Sequence, residues 1–179
     1  KILLTFLLTA SFSTFADLSV LFDFSLSDFC YHQPNVQDRG GVYYFPNEEL
    51  GITANSVCVY KDAYGQYESK GKLLNGHRDG KWIEWNKNGQ KVGEGNYKDG
   101  RMDGKQTILK NGQKVIETYY KDGKKDGKNT VWDNDGQVWM ENYHKEGKLE
   151  GKFIQYFNNG QIMVDANYKE GKQDGNWTW

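Results

Sequence analysis

Proline and cysteine are almost missing from this chain, with two of each among 179 residues. So few prolines exclude a stiff proline-rich linker or a collagen-like rod. Two cysteines exclude both a disulfide-dense scaffold and a four-thiolate metal centre. Net charge is missing as well: 23 basic and 24 acidic side chains leave a formal charge of −1, so no overall field draws the chain towards nucleic acid or an acidic lipid surface. The three histidines, His32, His77 and His144, have no second histidine or cysteine at metal-ligand spacing, and no metal or cofactor is expected. After residue 16 no apolar run is long enough to span a membrane, and no helical i, i+3, i+4, i+7 pattern escapes interruption by glycine.

What the chain does have is glycine, 21 residues of it, together with 12 tyrosines and 6 tryptophans. The glycines are spaced. Gly76, Gly100, Gly123, Gly147 and Gly171 form one series, Gly80, Gly104, Gly127, Gly151 and Gly175 a second, and Gly65, Gly89, Gly112, Gly136 and Gly160 a third, with steps of 23 or 24 residues throughout. A fixed period of this length marks a repeat architecture in which each unit is one supersecondary element.

Each unit reads as a β-hairpin: "GKWIEWNKNGQKVGEGNY" at 80–97, "GKQTILKNGQKVIETYY" at 104–120, "GKNTVWDNDGQVWMENYH" at 127–144 and "GKFIQYFNNGQIMVDANY" at 151–168. An Asn-Gly or Asp-Gly step divides two strand-like runs every time, and these residues tolerate the positive φ of tight hairpin turns. That assigns Gly89, Gly112, Gly136 and Gly160 to the hairpin turns. The K-D-G or K-E-G word and the glycine four residues after it are read as the turn to the next hairpin, which places Gly80, Gly104, Gly127 and Gly151 there. Period-2 alternation puts Ile83 with Trp85, Thr130 with Trp132 and Ile154 with Tyr156 on one face. Tyr97, Tyr120 and Tyr168 end the second strands, with His144 in the matching position. In the shorter unit at 104–120, either Ile108 or Leu109 takes the aromatic position.

Before the array lie two further segments. Residues 1–16, "KILLTFLLTASFSTFA", carry a lysine, an apolar run too short for a bilayer, and small residues before a cut at Asp17. The pattern is that of a secretory signal peptide, with a short anchor or a buried strand as rival readings. Residues 17–55 lack the glycine ladder, hold both prolines, and read as an N-terminal cap over the open end of the stack. The repeats then run over 56–179. Export would place Cys30 and Cys58 where disulfides persist; a Cys30–Cys58 bridge and two half-buried thiols both fit the sequence.

Chemistry is scarce. The glycines never form G-x-G-x-x-G or a P-loop ahead of a helix. "DNDG" at 133–136 resembles a calcium loop, but its first position would be Val131 and its twelfth Asn142, which are not ligands of that loop. Glu94, Glu117, Glu141 and Asp165 recur once per unit alongside periodic lysines, which reads as a solvent-facing ladder rather than a catalytic pair. A repeat multiplies identical sites, whereas catalysis needs one distinct constellation. The chain is therefore expected not to be an enzyme.

The pattern G-K-x-x-x-W/Y-x-x-N-G-Q-x-x-x-E-x-x-Y-K-D-G-K-x-D-G, repeated in register over residues 56–179, resembles the bacterial variant of the MORN repeat, found in proteins often labelled YwqK-type antitoxins. The resemblance implies an all-β, elongated, twisted meander of hairpins and a role in binding. The leading functional expectation is an exported, non-enzymatic repeat scaffold that binds another protein or joins an envelope assembly. The alternatives are a cell-surface carbohydrate- or choline-binding module and an antitoxin or immunity-type binder. The candidate binding surface consists of the residues that break the repeat: Trp82, Phe153 and Trp177 stand where other units have Gln106 and Asn129, and Trp139 and Met163 replace Val92 and Val115. Exposed aromatics are frequent anchors at interfaces, although the same residues also suit packing against a neighbouring row. The last unit reaches Trp179 with half a hairpin, and its outer edge is expected to pair with a second copy of the chain.

Overall fold

A computed structural model describes residues 37–60 and 67–175. Among these, β1 (Gln37–Asp38) and β2 (Tyr43–Tyr44) form a two-stranded ribbon. The remaining strands are β3 (Ala54–Tyr60), β4 (Tyr67–Leu74), β5 (His77–Trp85), β6 (Lys91–Lys98), β7 (Arg101–Lys110), β8 (Gln113–Lys121), β9 (Lys124–Trp132), β10 (Val138–Lys145), β11 (Lys148–Tyr156), β12 (Ile162–Lys169) and β13 (Lys172–Gln173). They make a single antiparallel sheet of 11 strands in unbroken sequence order. No described residue is helical. The all-β meander expected from the hairpin signals is the architecture observed.

Turn chemistry explains the regularity. Asp99–Gly100, Asp122–Gly123, Glu146–Gly147 and Glu170–Gly171 all have positive φ at both positions, from 48° to 88°. These are two-residue turns of the type whose twist matches that of the flanking strands. The Asn-Gly turns divide into two kinds. Asn111–Gly112 is again a two-residue turn, with φ of 52° and 81°, and Lys110 pairs directly with Gln113. In the longer units only Gly89, Gly136 and Gly160 have positive φ, and the loop closes through Asn86 N–H to the Gln90 carbonyl at 2.9 Å and Gly89 N–H to the Asn86 carbonyl at 2.9 Å, with the same pair of bonds at Asp133 and Phe157. One residue fewer thus selects a tighter turn, and the pairing of Leu109 with Lys114, parallel to Trp85 with Lys91, gives Leu109 the aromatic position.

The second glycine of each turn phrase is placed differently from its sequence reading. Gly80, Gly104, Gly127 and Gly151 lie inside β5, β7, β9 and β11, not in the turns. In the last three units one residue of the preceding strand faces three of the glycine's own strand: between the pairs Thr118–Asn129 and Tyr120–Lys125, for example, Tyr119 stands against Asp126, Gly127 and Lys128. Such a bulge needs a residue in the left-handed region, and Gly127 supplies φ of 113° there while its other side pairs with His144. A turn and a bulge make the same demand on the backbone, so both select glycine.

The two faces of the sheet differ. One, the cap face, carries a continuous cross-strand row, Gly71, Trp82, Gly95, Gln106, Thr118, Asn129, Asn142, Phe153 and Ala166, whose first members alternate between glycine and a large side chain. A Cβ on Gly71 would run into the Trp82 indole, and one on Gly95 into the Gln106 amide. At the N-terminal end residues 43–52 fold over this face, so that Tyr43, Ile52, Leu73 and Trp82 form a buried cluster joined by Phe45, Ala54 and Tyr97. The cap is tied to the sheet by backbone bonds from Tyr43 N–H to the Gly76 carbonyl (2.9 Å) and from Gly76 N–H to the Ile52 carbonyl (2.7 Å). Farther along, no such cover is present among the described residues. Thr118, Asn129 and Asn142 are nevertheless buried, because same-face neighbours two residues away, Ile116, Val131 and Met140 on one side and Tyr120 and His144 on the other, stand over the shorter central row.

Candidate functional site

The opposite face holds the acids. Ile83, Glu94, Thr107, Glu117, Thr130, Glu141, Ile154 and Asp165 face one another across successive strands, and each acid receives a lysine. The distances are 2.7 Å for Lys81–Glu94, 3.7 Å for Lys105–Glu117, 2.6 Å for Lys128–Glu141 and 3.4 Å for Lys152–Asp165. Lys91 and Lys114 add second partners at 2.9 and 3.0 Å. Hydrogen bonds from Lys81 and Lys91 hold Glu94 down to about 2, and the bond to Glu141 raises Lys128 above its ordinary value. Stability from Glu94 is present above the ordinary carboxylate value and is lost only as pH falls towards 2. Exposed pairs of this kind contribute little individually. Their effect on chemistry is larger: every recurring acid is engaged by a lysine. No group of three or more metal-ligating side chains occurs among the described residues.

The cap face carries the unusual groups. A second row, Ile108, Ile116, Val131 and Met140, places four apolar side chains directly opposite one another on β7 to β10, and Ile108 is 42% exposed. Beside it Thr118 donates to Asn129 Oδ1 at 2.6 Å, while Gln106 Oε1, Asn142 Oδ1 and His144 Nδ1 are buried without a partner. Burial, and then the nearby charge of Lys125, lower the pKa of His144. A neutral histidine is therefore favoured in the fold, so stability is complete above the unfolded value and declines as pH falls through it towards the folded one. His144→Tyr, which restores the residue of the other units, is expected to flatten this decline. The melting temperature of the parent chain should fall more between about pH 7 and about pH 5 than that of the variant; parallel curves would assign the loss to other groups.

The five residues named as a binding surface are dispersed. Trp82 is fully buried beneath the cap and belongs to the core, because Tyr43 stacks on it at 6.3 Å and Arg78 lies over its ring at 4.4 Å. Phe153 stands in the same row but is only half-buried, against Tyr168 at 5.8 Å. Trp139 and Met163 occupy one extra-residue position per hairpin, where the register slips between Val138 and Met140 and between Ile162 and Val164; Trp139 is 39% exposed and Met163 is half-buried. Trp177 and Cys30 lie outside the described residues, as does the Cys58 side chain. The residue that sequence reasoning passed over is Arg78. Its signal was present, since Arg78 stands where later units have Met102, Lys125 and Leu149.

Comparison with known proteins agrees with this geometry at two points. No curated protein matches the chain. No helix among the described residues is long and apolar enough to cross a membrane. Residues 78–99 and 149–170, each one hairpin with its closing turn, match the family model of the MORN repeat variant. The hairpins between them have the same antiparallel pairing, a positive-φ glycine at the matching position and the same acid–lysine ladder, so the sheet is an array of β-hairpins, two of which match the MORN repeat variant.

Proposed function

We propose that this chain is an exported, non-enzymatic scaffold that binds another protein on the cap face of its central hairpins. The observation that carries the reading is the apolar row Ile108, Ile116, Val131 and Met140. At the first hairpin the same face is closed by Tyr43 and Ile52, whereas over β7 to β10 an apolar row is continuous, partly exposed, and framed by buried polar groups without partners. Exposed apolar patches with a polar rim are characteristic of protein-binding surfaces. Repeat arrays bind through extended surfaces of this sort, and the match to a repeat variant of binding scaffolds points the same way. Export rests on the signal-like pattern of residues 1–16.

Capture from the envelope fraction tests both parts. The full chain should retain a partner that a variant with Ile108→Asp and Val131→Asp fails to retain, while its circular dichroism and melting stay close to those of the parent. Equal capture by the two would remove the apolar row as the binding surface. Recovery of the chain uncleaved from the cytoplasm would remove export. Carbohydrate or choline recognition gains less support, since Leu109 interrupts the row of Trp85, Trp132 and Tyr156, and cages for quaternary ammonium need several rings around one cation.

A further inference from the structure

The edge of the sheet formed by the K-D-G turns holds charges that no other described residue matches with an ion pair. On the ladder face each acid has its lysine. At the turns the opposite holds: Lys98 faces Arg101, Lys121 faces Lys124, Lys145 faces Lys148 and Lys169 faces Lys172, directly across the strands. Like charges in that position repel, and the arrangement recurs at four successive turns. All eight cations are exposed, and none forms an ion pair among the described residues.

The acids nearby do not relieve them. Asp103, Asp126 and Glu150 instead accept the backbone N–H of the next turn, from Asp122, Glu146 and Glu170 at 3.3, 3.1 and 2.8 Å. The turn acids Asp99, Asp122, Glu146 and Glu170 are exposed and form no ion pair among the described residues. Backbone bonds from Gly123 to Met102 (2.8 Å), Gly147 to Lys125 (2.8 Å) and Gly171 to Leu149 (2.9 Å) fix each turn against the unit before it. The stacking leaves a cavity of about 600 Å³ lined by four cations and three acids, Arg101, Lys121, Lys124 and Lys145 with Asp122, Asp126 and Glu146.

Opposite charges this close, held apart by a fixed backbone, call for an external partner. Its chemistry is constrained, because the edge alternates in sign and has nearly no net charge. A polyanion or a polycation would meet about as much repulsion as attraction. The partner must itself alternate, at the spacing of one turn every two strands, about 10 Å. The same edge of another copy, related by a two-fold axis, has that spacing and those signs, which is the self-complementarity an isologous contact requires. We infer that the turn edge is a contact between two copies of this chain, in which the cations at the strand ends of one copy meet the turn acids of the other. This contact uses neither the cap face nor the C-terminal edge.

Sedimentation equilibrium of the full chain tests it. Exposed ion pairs are weak and screened, so self-association should be present at about 0.01 M salt and weaken about tenfold or more at about 1 M, as the Debye length contracts from about 30 Å to about 3 Å. Two charge-swapped variants sharpen the result. Asp122→Lys with Glu146→Lys should be monomeric alone, as should Lys121→Glu with Lys124→Glu and Lys145→Glu, whereas an equimolar mixture of the two should form a heterodimer. A milder pair, Asp122→Asn with Glu146→Asn, should weaken association without reversing any charge, and serves if a swapped variant does not fold. A chain that is monomeric at low salt, association that ignores salt and the swaps, or a mixture that stays monomeric would each overturn the proposal.

Discussion

Trp82→Ala is expected to destabilise the chain by about 3–5 kcal/mol, the range for truncating a buried large aromatic. Trp82 has no exposed surface, and its indole takes the space that a side chain on Gly71 would fill. Tyr43 stacks on it with ring planes 18° apart, and Nε1–H donates to the Lys72 carbonyl at 2.9 Å. Alanine would leave a void under the cap, a Lys72 carbonyl without the indole N–H, and an Arg78 guanidinium without its ring. Trp82→Phe separates these terms in part: a six-membered ring remains under Tyr43, while the Nε1–H donor and part of the indole volume are lost, for about 1–3 kcal/mol. Trp139→Ala is the control, because that side chain is 39% exposed and surface substitutions usually stay within about 0.5 kcal/mol. Urea melts that rank Trp82→Ala level with Trp139→Ala would refute the placement of Trp82 in the core.

Arg78→Met should be nearly as damaging, at about 2–4 kcal/mol, somewhat below the cost of breaking a fully buried charge pair. Arg78 ties the cap, β4 and β6 to its own strand, β5, through one guanidinium. Its guanidinium donates to Glu84 Oε1 at 2.9 Å, to the Tyr97 and Tyr43 hydroxyls at 3.4 Å each, and to Ser69 Oγ at 3.5 Å. Burial works against its charge, yet Tyr43, Glu84 and Tyr97 outweigh that and raise its pKa further. Methionine keeps much of the volume but removes the fork, leaving Glu84 without its partner. Because one of the lost bonds reaches the cap, the defect should be local first: the amides of Tyr43, Ile52 and Gly76 should exchange faster while those of β9 to β12 are unchanged. Uniform acceleration over the whole sheet would argue instead for a general loss of stability. Arg78→Lys should recover only part of the difference, since a lysine cannot serve carboxylate, hydroxyls and ring face together.

Those two residues show where local information stops. Hairpin turns, strand alternation and the repeat period were legible because each is a property of a few consecutive residues: positive φ at Asn-Gly or Asp-Gly, and side chains that change face at every step. The acid–lysine ladder was legible for the same reason, since a 23- or 24-residue period carries Glu94, Glu117, Glu141 and Asp165 to one face. Four features needed the assembled sheet. Leu109 took the aromatic position because strand pairing, not spacing, fixes register in the shorter unit. Gly80, Gly104, Gly127 and Gly151 proved to lie within strands, because glycine answers a bulge and a turn alike and only the partner strand distinguishes them. Gln106 and Asn142 became buried acceptors because longer neighbours on adjacent strands stand over them. Finally, Trp82 and Phe153 share one position in the repeat and one row of the sheet, yet the first is core and the second half-buried. What separates them is whether Tyr43 and Ile52, distant in sequence, fold back over that part of the sheet, and burial is set by such long-range cover.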